Sequence, residues 1–440
     1  MRWLREKLRK GQVRLLTLKS STFRISYSMI LAFAIVFLIK VPVGANEVPT
    51  GTSLLIKEYY DELSRRDNCS YIYYDLQGGL NSMNNPEAIY NNRRITLVEP
   101  YKFGYAFAGW FIDSNYRYKV TSLRYKEGQS YVLHAKWNRK VDNINSVENY
   151  SYDSGHTLKD CDYSFLYDIN IPGMPGTKEK DFLNNLIFSP SQCPQGLCIA
   201  KDFILVTSYS EGEECPGELI VFDRKSGEYL FTLAMDPVSH LGGISFDGEN
   251  IWVCNSSEKS IERLSYDFVE NMARKNSGGL INAIDVVDIY KVDNIPSCIT
   301  YFRNRLWIGT HTKVFKSNLV AYHFNKEDDS LNRLSSYRIP ARVQGIAFDD
   351  YGKVYLSTSY GRKSSSYLKV YRSLTEMDSK TRNPYKSIEM PPCSEEVDID
   401  GDTIYMIFES AGEKYFEGTD GKGSSDSPID KILTIDIDSL

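Results

Sequence analysis

Five stretches of the chain can be laid over one another: QGLCIAKDFILVTSY (195–209), GGISFDGENIWVCNS (242–256), SCITYFRNRLWIGTH (297–311), QGIAFDDYGKVYLSTSY (344–360) and EEVDIDGDTIYMIFES (395–410). Each opens on a short Gly-, Ala- or Ser-centred strand, turns tightly, and continues as an aromatic-rich second strand. Third strands follow at ELIVFD, SIERLS, LVAYHF, LKVYRS and KILTID. Fourth strands follow in the first four copies only, at YLFTLAMD, VVDIYKVD, LSSYRIP and SIEMP. With Gly196, Gly243, Ser297, Gly345 and Glu396 taken as equivalent, the steps are 47, 54, 48 and 51 residues. Four short strands in a period of about 40–55 residues predict the blades of a β-propeller.

The fifth copy lacks its outer strand before Leu440, and a matching stretch lies upstream. Ser164 to Pro172, SFLYDINIP, resembles the other fourth strands down to its Ile-Pro ending. The expected architecture is mainly β: a five-bladed propeller over 163–440, closed by this N-terminal strand so that no sheet edge is left open. A β-sandwich is the alternative, but it explains neither the repeat nor the displaced strand. Residues 174–192 stay unassigned, and Glu179 to Phe188 reads as a short helix. Phrases such as HLGGISFDGENIWVCN and VQGIAFDDYGKVYLSTSYGR resemble secreted bacterial propellers of unassigned function, a likeness that brings fold and not chemistry.

Upstream the pattern changes. Residues 53–66, SLLIKEYYDELSRR, suit an amphipathic helix within a 46–69 segment. Then come YIYYDLQGG (71–79), ITLVEPYKFGYAFAGWF (95–111) and a closing YVLHAKW (131–137). The order Asp-Leu-x-Gly-Gly, Pro-x-x-x-Gly-Tyr-x-Phe-x-Gly-Trp and Ala-x-Trp resembles an internalin B-type (Listeria–Bacteroides) repeat over about residues 70–138. The resemblance implies a β-grasp-like module of exported bacterial proteins, a surface spacer or adhesive unit with no catalytic residues to carry over. A single copy does not make a long stalk. Trp110 and Trp137 suit core anchors better than a sugar platform. Residues 139–162, rich in Asn, Ser and Asp, read as a linker permitting relative domain motion.

The first 45 residues read as an address. Arg2, Arg5, Lys7, Arg9, Lys10, Arg14, Lys19 and Arg24 precede an apolar run from Met29 to Ile39, and Val43-Gly44-Ala45 supplies small residues before Asn46. This is the pattern of a secretory signal peptide. Eleven apolar residues span only about 16 Å as a helix, short of a bilayer core of about 30 Å. Cleavage and a secreted, surface-associated location are therefore expected, with membrane attachment only through an uncleaved leader. The 1–45 segment holds nine Lys/Arg and one Glu; the remainder holds 43 basic and 56 acidic residues, a net of −13. An acidic body argues against nucleic-acid binding, which needs cations for phosphates. The eight cysteines (69, 161, 193, 198, 215, 254, 298 and 393) are irregularly spaced without a paired C-x-x-C set. Zinc is not expected; most read as small hydrophobes. A Cys193–Cys393 bridge is conceivable because the two occupy equivalent entry positions.

In a propeller, loops entering first strands and leaving second strands meet on one face, around the mouth of the central channel. The repeat alignment puts Gln195, His240, Gln344 and Glu395 among the entering residues, and His311, Ser359 and Glu409 among the leaving ones, with Tyr209, Asn255, Tyr360 and Arg362 beside them. His240, His311, Gln344, Tyr360, Glu395 and Glu409 are the candidate ligand-binding residues. Two His and two Glu on one face also suit acid–base or divalent-metal chemistry. Equally, polar residues at strand ends often satisfy local backbone groups. The 417–428 loop, EGTDGKGSSDSP, is expected to project at the same face and be mobile, with weak calcium capture by Asp420 and Asp426 conceivable. No nucleophile elbow, Walker loop, dinucleotide fingerprint or zinc-protease helix occurs, and no cofactor is expected. The leading expectation is a secreted binding or adhesion protein whose mouth takes a glycan, cell-surface polymer or extracellular protein. An extracellular hydrolase or lyase and a purely structural surface protein remain alternatives.

Overall fold

Each of the five repeats forms its own antiparallel sheet in the computed structural model, which describes residues 50–440 apart from 80, 83, 103–104, 140–143, 170, 172–191, 211–215, 237, 276–278 and 382. The leader, the 179–188 helix expectation and Cys215 lie outside the described residues. The chain is mainly β, built of several small sheets.

Sheet 1 is Gln192–Ala200, Phe203–Ser210, Gly217–Asp223 and Tyr229–Met235. Sheet 2 is Ile244–Phe246, Asn250–Asn255, Ser260–Ser265 and Asp288–Lys291. Sheet 3 is Cys298–Tyr301, Leu306–Gly309, Ser317–Asn325 and Ser330–Ile339, and sheet 4 is Val343–Phe348, Val354–Thr358, Ser366–Tyr371 and Lys386–Met390. Sheet 5 is Ser394–Asp400, Thr403–Phe408 and Leu433–Asp436, with Tyr163–Phe165 as its fourth strand. That last strand pairs Leu433 with Phe165, Thr434 with Ser164 and Ile435 with Tyr163. The predicted strand 164–171 is thus shorter than expected, although Leu166 N–H and Ile171 N–H still reach the carbonyls of Ile432 and Asp430.

The turns explain why the hairpins form where they do. In sheet 2 the Asp247 carboxylate accepts from the N–H groups of Glu249 and Asn250 and from the Trp252 indole, so one side chain closes the turn and orients the aromatic beyond it. Asp349 does the same in sheet 4, accepting from Lys353 N–H and the Tyr355 hydroxyl. Trp252 is fully buried and packs edge-on against Phe324 of sheet 3, joining the two sheets.

First strands lie against first strands: sheet 1 on 2, 2 on 3, 3 on 4, 4 on 5, and 5 on 1. Side chains are trimmed to permit this. A Cβ on Gly243 would stand 2.7 Å from Cys298 Cα, and one on Gly345 would stand 2.6 Å from Val397 N. Between sheets 5 and 1 the link is polar, with Ile199 N–H donating to Asp398 at 2.7 Å.

One insertion escaped the sequence pattern. After Ser260–Ser265 the chain forms the helix Tyr266–Lys275, burying Tyr266 and Val269, and then Leu280–Asn282 adds a parallel strand to the outer edge of sheet 1. The repeat pattern predicts a direct passage to the fourth strand of sheet 2, because the insertion lies outside the common period.

Upstream, a mixed sheet has the order Ala88–Tyr90, Cys69–Asp75, Tyr131–Arg139, Tyr105–Phe111, Lys119–Val120, its second and third members parallel. Arg94–Thr96 pairs with Ser122–Arg124 beside it. The helix Thr50–Asp67 contributes Tyr60, which meets Tyr71 and Tyr73 edge-on. Trp110 is buried and its indole donates to Val98 O, whereas Trp137 donates to Leu76 O at the core's margin. Trp110 is therefore a core anchor.

Residues 144–162, expected as slack linker, are strapped down. Val147, Leu158 and Cys161 join the core shared by sheets 4 and 5. Asn145 and Asp430 exchange hydrogen bonds, and Glu389 of sheet 4 accepts from the N–H groups of Asp153 and Ser154. The seven described cysteines are buried free thiols.

Candidate functional site

The residues that enter first strands and leave second strands do gather along one edge of the sheets, but they form two different environments. The first is a packed carboxyl cluster at the start of sheet 5. Gln344 donates to Glu395 at 2.7 Å, and Gln195 donates to Glu409 at 3.0 Å. Glu395 is buried; loss of water and then the neighbouring Glu409 carboxyl push its pKa well above the usual carboxylate range. Cys193 points its thiol at Glu409 from 3.8 Å. Glu396, next along the strand, accepts from Ile346 N–H and Val397 N–H through one oxygen, while its other oxygen has no partner among the described residues. Burial raises it as well. His240 stacks on Tyr209 at 4.3 Å at the cluster's margin, where Lys414 also bonds the Tyr209 hydroxyl.

The second environment is open. A cavity of about 850 Å³ lies beside sheet 4, walled by its entry and second-to-third-strand loop, by the 149–153 strap and by Ser424–Ser427. Tyr360 stands at this cavity, 46% exposed, with the Arg342 guanidinium 4.1 Å above its ring. Lys369, on the third strand, reaches the same space beside Tyr367. The alternation of that strand explains it: Leu368 and Val370 are buried on the core face, so Tyr367 and Lys369 stand on the other.

The walls are held in place. Glu389 accepts from Ser365 Oγ as well as from the strap, and the Tyr150 hydroxyl meets Ser365 at 2.9 Å. Burial pushes Glu389 up, but its donors from Asp153, Ser365 and Ser154 outweigh this and hold it below its usual range. The 417–428 loop is pinned. Arg362 grips Asp420 with both terminal nitrogens and also donates to Gly423 O, and Lys363 pairs with Asp426. Asp420 and Asp426 are each engaged by a cation, and no cluster of three or more His, Cys, Asp or Glu side chains placed to hold a metal ion occurs among the described residues.

Of the six candidate residues, Gln344, Glu395 and Glu409 meet directly in the carboxyl cluster, and His240 lies at its edge. His311 bonds the carbonyl of Val343 through Nδ1 at 3.1 Å and so braces the entry to sheet 4. Tyr360 alone lines the cavity. Arg342, Lys369, Tyr150 and Tyr367 were missed. Arg342 was two residues from the aligned Gln344 and could have been read as an entering residue. Lys369 sits inside a strand whose outer face counts as solvent in a linear reading, and Tyr150 belongs to the strap. The Cys193–Cys393 bridge is not made; Cys393 instead lies near Gly361 O and Ser425.

No family model matches the chain, and no curated protein matches it. Among solved structures it is similar to one titled "Crystal structure of Nidogen/Laminin Complex" (14% identity, 50% of this chain and 74% of that one, TM-score 0.32). Another is the PQQ-bound form of aldose sugar dehydrogenase from Streptomyces coelicolor (15% identity, 62% and 97%, TM-score 0.33). A third is the Kuenenia stuttgartiensis hydrazine synthase (11% identity, 49% and 55%, TM-score 0.30). At this distance none speaks to the chemistry of the cavity. No described helix is long and apolar enough to cross a membrane.

Proposed function

We propose that the chain is a secreted or surface-associated bacterial binding protein, and that its ligand is a glycan held in the cavity beside sheet 4. In this reading the five sheets are the blades of a closed five-bladed propeller. Residues 163–165 supply the closing strand, and residues 70–138 form a β-grasp-like internalin B-type repeat. The cyclic succession of first-strand contacts supports the propeller, and the leader-like residues 1–45 support export. The observation that carries the binding function is the cavity itself: about 850 Å³, within the usual range for small-ligand sites, with serine hydroxyls and three tyrosine rings in its wall. Tyrosine offers a flat apolar face to sugar C–H groups and a hydroxyl to sugar oxygens.

The Glu395–Glu409 pair favours a second reading, an extracellular hydrolase or lyase, because two adjacent carboxyls, with Glu395 raised by burial and by its neighbour, suit acid–base work. These groups lie outside the cavity wall, so binding is the preferred conclusion. The test is a saccharide-binding screen of the full chain beside Tyr360→Ala. Binding is expected in the parent and at least about tenfold weaker in the variant, as loss of an aromatic contact implies. Absence of any saccharide binding, or equal binding by Tyr360→Ala, would overturn the proposal.

A further inference from the structure

Resting on the glycan reading above, we infer that the cavity selects anionic saccharides, with Arg342 and Lys369 as the pair that holds the sugar-borne carboxylate or phosphate.

The cavity wall carries an imbalance of charge. Five charged residues line the space: Asp153, Arg342, Lys363, Lys369 and Asp426. Lys363 and Asp426 pair with each other. Arg342 spends one N–H on Lys313 O at 3.2 Å and otherwise covers Tyr360. Lys369 has a ring, Tyr367, 5.8 Å away. Among the described residues neither cation makes an ion pair. Glu389, behind the wall, is already occupied by Ser365 and by two strap N–H groups, and Asp153 lines the wall without an ion pair among the described residues, so three cations face two acids and the wall carries one net positive charge.

Lys369 is moreover only partly exposed, and its amine is held below its usual pKa first by loss of water and second by the field of Arg342. Two like charges facing one cavity, one of them half-desolvated, destabilise the empty site. An anion placed between them reverses both terms, since it neutralises the repulsion and accepts charge-assisted hydrogen bonds. The surrounding wall fits a polyol around that anion. The hydroxyls of Tyr360, Tyr367, Ser364 and Ser424 have no hydrogen-bond partner among the described residues and remain available to sugar oxygens. A fully apolar ligand would leave these groups and both cations unpaired, which disfavours it.

The experiment is calorimetric titration of the full chain with three probes of matched length: a galacturonate tetramer, a glycerol-phosphate oligomer and a neutral galactose tetramer. Lys369→Met and Arg342→Gln are run beside the parent, with Lys369→Arg as the charge-preserving control. The expected result is binding of one or both anionic probes, weakened about tenfold or more in Lys369→Met and Arg342→Gln, retained in Lys369→Arg, and weakened by added salt. Which anionic probe binds assigns carboxylate or phosphate. Arg342 is exposed, so its variant keeps the test valid if Lys369→Met does not fold. Equal binding of the neutral tetramer, or anionic binding untouched by both charge-removing variants, would overturn the inference while leaving the glycan reading intact. Binding of none of the three, together with no hit in the wider screen, would instead remove the glycan reading beneath it.

Discussion

The start of sheet 5 and the cavity beside sheet 4 use charge in opposite ways. The first packs Glu395 and Glu396 into the tight seam between first strands, where water is excluded, with Glu409 half-buried at its edge and amide donors from Gln195 and Gln344 beside the carboxyls. The second sets Arg342 and Lys369 beside open space, and among the described residues neither makes an ion pair. In the seam, burial holds Glu395 and Glu396 above the usual carboxylate range, and these groups serve packing. At the cavity the charge stays exposed to whatever enters. Charged residues that look alike in sequence therefore divide by whether the chain leaves room next to them.

The sharpest way to break the seam is to overfill it. Gly345→Val would drive a side chain into Val397 N, 2.6 Å from its Cβ, and into Glu396 Oε1 at 2.5 Å. The expected cost is about 3 kcal/mol or more of unfolding free energy, read from urea denaturation. A loss below about 1 kcal/mol would mean that the first strands can separate freely and that the seam is not tightly packed.

A smaller effect sharpens the contrast through pH. Burial pushes Asp398, which accepts from Ile199 N–H across the sheet 5–sheet 1 seam, up to about 6. An ordinary Asp titrates near 3.9, so between about pH 4 and 6 the folded chain keeps a proton that the unfolded chain has released. Stability from this group is fully present below about pH 4 and declines as pH rises to about 6, by roughly 2 kcal/mol. Glu395, Glu396 and Glu218 are shifted in the same direction, each first by burial. Asp398→Asn should flatten the slope in urea midpoints taken at pH 4, 5 and 6. A parent whose stability rises through that window would refute the account of the seam as a store of protonated acids.

The smallest predicted change concerns the cavity wall. Glu389 has the opposite sign: held below its usual range by its donors, it stabilises the fold above its unfolded value and loses that contribution as pH falls. Glu389→Gln keeps the shape but weakens three charge-assisted bonds, at a cost of about 1–2 kcal/mol. The strap 149–154 should then exchange its amide hydrogens faster while sheets 1 to 3 do not change. Uniform change across all five sheets would show that the strap is not a local closure of the wall.

Much of the fold was legible because it repeats. Alternation, turn residues and a steady step identify four strands at a time, and the missing strand of the last copy pointed to residues near 164. The insertion at 266–282 was not legible, since it breaks the period that made the rest readable. The edge on which polar groups gather was also legible, from the equivalence of Gln195, Gln344 and Glu395. Which of those groups would be packed and which would face space was not.

The sequence by itself determined the secondary structure of the repeats, their number and the partner of the last sheet, because β-pairing and turn chemistry depend on local pattern and the repeat supplies its own register. Only the tertiary structure decided that His311 braces a carbonyl, that Glu395 is buried against a half-buried Glu409, that residues 144–162 form a strap, and that Arg342 and Lys369 meet over one cavity. Those outcomes depend on which strand ends approach one another and how much volume remains between them. Such distances in space are set by packing, and no spacing along the chain encodes them.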